Sequence, residues 1–204
     1  MNLKLGYALE GNSDYGIIPV LTERIIEKYD NSITLEKPSK RRPRQKGNGF
    51  IKHLPKLAKN LVDDDVDILV AVVDADVKYG SERRKLLSEV KEKCSGDNIA
   101  LCIADGLAIN ALEAWLLADE NALFKIYDGS LSPQKTKDPE KEPNPKEVLS
   151  KIILKLTEGI ESSYTSRANE LANEIDLQIL KDRCGSFGAF ATNIINCLKK
   201  LKRD

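Results

Sequence analysis

The segment Val66-Asp67-Ile68-Leu69-Val70-Ala71-Val72-Val73, with Asp74-Ala75-Asp76 directly behind it, decides how this chain folds. It is rich in β-branched residues and nearly uncharged, as a central parallel strand covered on both faces should be. Parallel neighbours need crossover connections, so helices are expected on either side. Before it, Phe50, Ile51, Leu54, Leu57, Ala58 and Leu61 are spaced like one face of a helix over residues 50–62. After it, Ser81 to Lys93 is predicted helical.

The same alternation continues outward. Leu3 to Leu9 reads as a first strand, broken by Glu10-Gly11-Asn12-Ser13, with Ser13 as N-cap of a helix from Asp14 to Lys28. Ser32 to Glu36 reads as a second short strand, followed by a loop from Lys37 to Gly49. Ile99 to Ala104 is predicted as the fourth strand, and Leu107 to Leu117, which holds Trp115, as a helix. Strands alternating with helices imply an α/β fold, a three-layer α/β/α arrangement around a four-stranded parallel sheet. Residues 1–127 form this unit, and residues 128–145 are a polar connection containing Pro133, Pro139, Pro143 and Pro145. Helical periodicity over Pro145–Leu156, Arg167–Leu180 and Phe187–Leu201 makes residues 146–204 a helical C-terminal region packed on the α/β domain.

Composition bounds the function. Lys and Arg number 32, as do Asp and Glu, so the formal net charge is zero and affinity for nucleic acid must come from local clusters. No stretch approaches the roughly 20 apolar residues that cross a bilayer, and charge begins at Lys4 with no apolar leader behind it. A soluble, cytoplasmic protein is expected. Cys94, Cys102, Cys184 and Cys197 lack paired CxxC spacing, which suggests neither a zinc ribbon nor a disulfide framework and fits a reducing compartment.

Ligands of parallel sheets gather at the carboxyl ends of the strands. That edge receives Glu10 after strand one, Asp74 and Asp76 after strand three, and Asp105 after strand four. In an extended chain Asp74 and Asp76 point the same way, and two carboxylates that close repel unless a cation neutralises them. Hard oxygen ligands with room for water suit Mg²⁺ or Mn²⁺. Asp105 is also explained as an ordinary loop acid at a strand end.

Glu10-Gly11 followed by Asp14, then Asp74-x-Asp76 after a very apolar strand, resemble the EG and DxD motifs of TOPRIM domains, over about Met1 to Ala104. Such domains occur in topoisomerases, bacterial primases, OLD-type nucleases and small stand-alone proteins associated with phage defence. The resemblance implies a Rossmann-like TOPRIM sheet and metal-assisted phosphodiester chemistry. Asp74 and Asp76 would hold the metal, with Glu10 as general acid or base or as a third ligand. Glu113-Ala114-Trp115-Leu116-Leu117-Ala118-Asp119, Asn144-Pro145-Lys146 and Ser186-Phe187 are similar to segments of a bacterial family of short TOPRIM-like proteins, a likeness that supplies no activity. Asp14 either supports Glu10 or favours its helix N-terminus, and Glu113 either completes the acidic cluster or forms a surface salt bridge.

Lys37, Lys40, Arg41, Arg42, Arg44 and Lys46, interrupted by Pro38 and Pro43, leave strand two at the same edge. They could bind a phosphate backbone without reading its sequence, or form a solvated loop. Gly47-Asn48-Gly49 behind them lacks the spacing and lysine of a P-loop and is only weak evidence for a phosphate cradle at a helix N-terminus. His53 falls on an apolar helix face and reads as structural, while Ser186 and the cysteines lack a base partner. Nucleic acid is the expected partner, with a companion protein or homodimer served by the C-terminal helices.

Two competing functions share these residues. Asp74-Ala75-Asp76-Val77 also resembles the first motif of haloacid-dehalogenase-type phosphatases, where the first Asp is a covalent nucleophile. That motif normally opens the fold, its downstream Ser/Thr, Lys and acidic motifs are not found in order, and Glu10-Gly11 would go unexplained. A noncatalytic module that binds nucleic acid or a partner is the other reading.

Overall fold

The computed structural model describes every residue except 42, 44, 98, 100, 128–135 and 204. Its strands are β1 (Asn2–Leu3), β2 (Leu5–Leu9), β3 (Thr34–Leu35), β4 (Ser39–Arg41), β5 (Ile68–Ala75) and β6 (Cys102–Ile109). Its helices are α1 (Ile18–Tyr29), α2 (Gly47–Val62), α3 (Gly80–Gly96), α4 (Leu112–Leu116), α5 (Glu120–Tyr127), α6 (Pro145–Leu156), α7 (Ala168–Glu174), α8 (Leu177–Arg183) and α9 (Gly185–Leu201). The main sheet has the order β4-β2-β5-β6 and is parallel throughout, with Leu9 opposite Val72 and Asp74 opposite Ala108.

The apolar run over residues 68–73 is buried on both faces, and its side chains alternate as a strand requires. Ile68, Val70 and Val72 enter a core shared with α1 and the C-terminal helices. Leu69, Ala71, Val73 and Ala75 enter a second core under α2 and α3. Helices thus cover both sides of a four-stranded parallel sheet, the three-layer α/β/α fold expected. The C-terminal helices build one of those layers, with Phe187, Phe190, Ile194 and Leu198 of α9 in the same core as β2 and β5.

Several boundaries differ from expectation, each for a local reason. Ser32–Glu36 contracts to β3, which pairs only with β1, and the outer strand of the main sheet is β4, inside the predicted loop. An edge strand tolerates this polar sequence because one side is open: Lys40 stays exposed and Arg41 bonds Asp64. The fourth strand runs to Ile109, absorbing the start of the predicted helix and leaving only Leu112–Leu116 helical. Asp105 therefore lies within β6, opposite Ala71, and bonds Lys91 of α3 at 2.6 Å and Asn193 of α9 at 3.1 Å. Arg167–Leu180 splits at Asp176, whose carboxylate accepts the amides of Gln178 and Ile179 at 2.6 and 3.2 Å and caps α8. Ser13 caps no helix; it lies in the 3₁₀ turn Ser13–Gly16 and its hydroxyl donates to Asp14.

The cysteine expectation is also corrected. Cys102 of β6 and Cys197 of α9 form a disulfide across 95 residues, while Cys94 and Cys184 are free and buried. A pair so far apart in sequence leaves no spacing motif to read. Among the described residues, no helix is long and apolar enough to cross a membrane.

Candidate active site

At the carboxyl edge of β2 and β5 the chain gathers Glu10, Asp14, Asp74 and Glu113 with Arg83 and Lys146. Glu10 follows β2 on the α2 side, as the alternation from Ala8 requires. Its Oε1 accepts the N–H of Gly47, the first residue of α2, where unpaired amides and the helix dipole favour an anion. Gly47 suits the position: its φ is +54°, and a Cβ there would stand 3.0 Å from a guanidinium nitrogen of Arg83. Gly11 is equally constrained. Its N–H donates to Asp14 at 2.9 Å, and a Cβ would come within 2.8 Å of Asp14 Oδ1, so the carboxylate approaches only because no side chain intervenes.

Asp74 points to the opposite face of the sheet. Its Oδ1 accepts the N–H of Leu112 at 3.0 Å, at the start of α4, and its Oδ2 lies 3.8 Å from Lys146 Nζ. The same ammonium is 3.9 Å from Glu113 Oε2, and Tyr164 donates to Glu113 Oε1 at 3.2 Å. Glu113 is buried, and its Oε2 has no hydrogen-bond partner.

Burial is the largest influence on all four acids and raises the proton affinity of each, because a desolvated carboxylate is costly. Asp74 raises Glu10, Asp14 and Glu113 further by like-charge repulsion. Opposing this, Lys146 favours the charged forms of Asp74, Asp14 and Glu113, and Arg83 those of Glu10 and Asp74. Electrostatically the acids form one site shared by two cations. Perturbed acids of this kind concentrate at functional positions.

Glu10, Asp14, Asp74 and Glu113 are thus brought together. Asp76 is exposed and takes no part in this network. The strand ends at Ala75, and the 3₁₀ turn Val77–Tyr79, closed by Tyr79 N–H onto Asp76 C=O at 2.9 Å, breaks the alternation that would have aligned it with Asp74. Asp105 stands three register positions back from the edge, about 10 Å along the strand, paired with Lys91. Glu113 is the buried second acid, not a surface salt bridge.

The basic run divides. Lys37, Lys40 and Lys46 are exposed, with Lys40 also over the Tyr15 ring at 5.9 Å, while Arg41 is engaged with Asp64. Arg42 and Arg44 lie outside the described residues. Lys46 directly precedes the Gly47 amide that holds Glu10, so the basic run meets the acidic site there. His53 is half-buried on α2, and Trp115 is packed between Phe187 and Phe190, with its indole N–H on Ser186 at 2.8 Å. Sequence reasoning passed over Arg83 and Tyr164, which carry no local signal, and met Lys146 only as part of Asn144-Pro145-Lys146.

Among the described residues no three His, Cys, Asp or Glu side chains are placed to hold a metal ion. Glu10 and Asp74 leave opposite faces of the sheet, which keeps the third ligand away. Two carboxylates do share a point, since Asp74 and Glu113 both lie within 4 Å of one nitrogen. Mg²⁺ commonly takes one or two carboxylates and completes its shell with water and substrate oxygens, so this pair, with one buried oxygen unpartnered, fits it.

A family model described as a domain of unknown function (DUF4276) matches residues 9–195. No curated protein matches, and no solved structure does. The match spans both strand ends and runs through α6 into α9, taking in Glu10, Asp74, Glu113 and Lys146, and the chain therefore belongs to the DUF4276 family.

Proposed function

We propose that the protein is a Mg²⁺- or Mn²⁺-dependent phosphodiesterase acting on a nucleic-acid backbone, a nuclease. The observation that carries this reading is the desolvated set Glu10, Asp14, Asp74 and Glu113 at the sheet's carboxyl edge, where two acids bracket one cation position. The resemblance to TOPRIM domains agrees with it, with Glu113 in place of Asp76 as the second metal-holding acid.

Asp74 and Glu113 would hold the metal, which when bound supplies Lewis-acid polarisation of a phosphate oxygen. Tyr164 orients Glu113 through the bond to Oε1, and the Leu112 amide orients Asp74, so both carboxylates are fixed before substrate arrives. Glu10, with its raised proton affinity, would take the proton from the water that attacks phosphorus as the P–O bond to the leaving oxygen breaks, and the departing alkoxide would take up a proton from solvent. Arg83 stands beside Glu10 and Asp74 and offers a guanidinium to the charge that develops on the phosphoryl oxygens. Lys46 and the exposed lysines of the basic run hold the flanking backbone by charge, without base readout.

The test is cleavage of single- and double-stranded DNA and RNA in Mg²⁺ or Mn²⁺, with a small phosphatase substrate alongside. Asp74→Asn, Glu113→Gln and Glu10→Gln should each lower cleavage by about 10²-fold or more, with Asp76→Asn much less affected. Nuclease activity that survives Asp74→Asn would sink the proposal, as would phosphatase turnover with no polynucleotide cleaved.

A further inference from the structure

Lys146 is placed unlike the protein's firmly anchored cations. Arg183 donates to the Ala118 carbonyl, to Glu120 and to the Thr136 carbonyl, so its position is bound in on several sides. Lys146 makes only long contacts, 3.8 Å to Asp74 and 3.9 Å to Glu113, from a side chain that is 66 % exposed. Its backbone is well held all the same. Asn110 Nδ2 donates to the carbonyls of Glu140 and Glu142 at 3.0 and 2.8 Å, Glu142 accepts the Asn144 amide at 3.2 Å, and Pro145 then opens α6. The chain thus delivers a flexible lysine to a fixed point over the acids.

That point is the one shared by Asp74 and Glu113. An ammonium there offsets their repulsion but leaves Glu113 Oε2 without a hydrogen-bond partner. A divalent ion would answer both needs, and it cannot occupy the position while the ammonium does.

We propose that Lys146 is a built-in competitor for the metal: its ammonium holds the Asp74–Glu113 pair in the metal-free protein and swings out to solvent when Mg²⁺ or Mn²⁺ enters, so that this lysine sets the metal concentration at which the site loads. The proposal rests on the reading of Asp74 and Glu113 as the metal-holding pair. Lys146 acts here through those carboxylates, as a positioning and affinity-setting residue. Because its side chain is mostly exposed, replacing it leaves both cores intact.

The experiment is titration of Mn²⁺ alone into the full chain, followed by calorimetry and by loss of the free-ion spin-resonance signal. Lys146→Gln should bind Mn²⁺ at least about tenfold more tightly than wild type, Lys146→Arg should stay close to wild type, and Asp74→Asn should not bind. With EDTA the order should reverse, Lys146→Gln melting below wild type because the acids have lost their counter-ion. Equal or weaker Mn²⁺ binding by Lys146→Gln, with wild type binding and Asp74→Asn not, overturns the exchange and leaves the metal site standing. No Mn²⁺ binding by any variant overturns the metal reading and the exchange together.

Discussion

Asp74 divides its two oxygens between two partners. Oδ1 caps α4 through Leu112 N–H, and Oδ2 faces Lys146 and the shared acid cluster. Asparagine would keep the cap and remove the charge. Asp74, Glu10, Asp14 and Glu113 all have folded-state proton affinities above their ordinary values, so the folded chain holds more protons than the unfolded one between the two sets of values. The contribution of these four acids to stability is then fully present below the ordinary carboxylate range, about pH 4, and is lost as pH rises through the raised folded values. In EDTA, the unfolding free energy of Asp74→Asn relative to wild type should rise from pH 4 toward neutrality, so that the variant exceeds wild type at pH 7. Saturating Mn²⁺ should reverse the order, since ligand binding stabilises only the chain that binds it. Urea unfolding across pH measures both, and an identical pH slope in the two proteins would contradict the coupling.

The elements that matter most are those that make the site's edges. Asn110 sits at φ +63°, between β6 and α4, a conformation Asn tolerates better than most residues. From there its amide clamps the Glu140 and Glu142 carbonyls, tying the strand end to the approach of α6. Asn110→Ala should cost about 2–3 kcal/mol from two lost hydrogen bonds and the left-handed backbone. Asn110→Gly relieves the backbone and loses only the clamp, so chemical denaturation should rank it between the two. On the far side of β6, a Cβ at Gly106 would lie 2.9 Å from the Phe190 ring and 3.1 Å from Val72. Gly106→Ala should push α9 off the sheet and cost roughly 1–3 kcal/mol, measured the same way.

At the scale of the molecule, the C-terminal helices are tied to the sheet by packing and by the Cys102–Cys197 bond. That bond closes 95 residues, for which the chain-entropy account gives roughly 4–5 kcal/mol. Reductant should therefore lower the melting temperature of the wild type and leave Cys197→Ser unchanged, at about 2–4 °C per kcal/mol for a chain this size. Equal melting with and without reductant would show that the bond contributes nothing. Net charge is zero, so the proposed binding to a polynucleotide would depend on the local lysines, and its affinity should fall steeply with salt while its sequence preference stays flat.

The amino-acid sequence by itself determined the alternation of strands and helices: an apolar β-branched run, helical spacing on either side, and acids where parallel strands end. Those are local properties, legible because strand and helix periods leave their mark on neighbouring residues. Glu10, Gly11, Asp14 and Asp74 were readable for that reason. Asp76 and Asp105 were misplaced because their positions depend on where a strand stops, and that is decided by packing: a 3₁₀ turn after Ala75, and an edge strand that could carry Asp105 once Lys91 and Asn193 met it. Only the tertiary structure could bring Arg83, Lys146 and Tyr164 to the acids, or join Cys102 to Cys197, since residues far apart in sequence leave no shared pattern along the chain. The fold class was written in periodicity, and the charge balance of the site in contacts between helices that periodicity does not record.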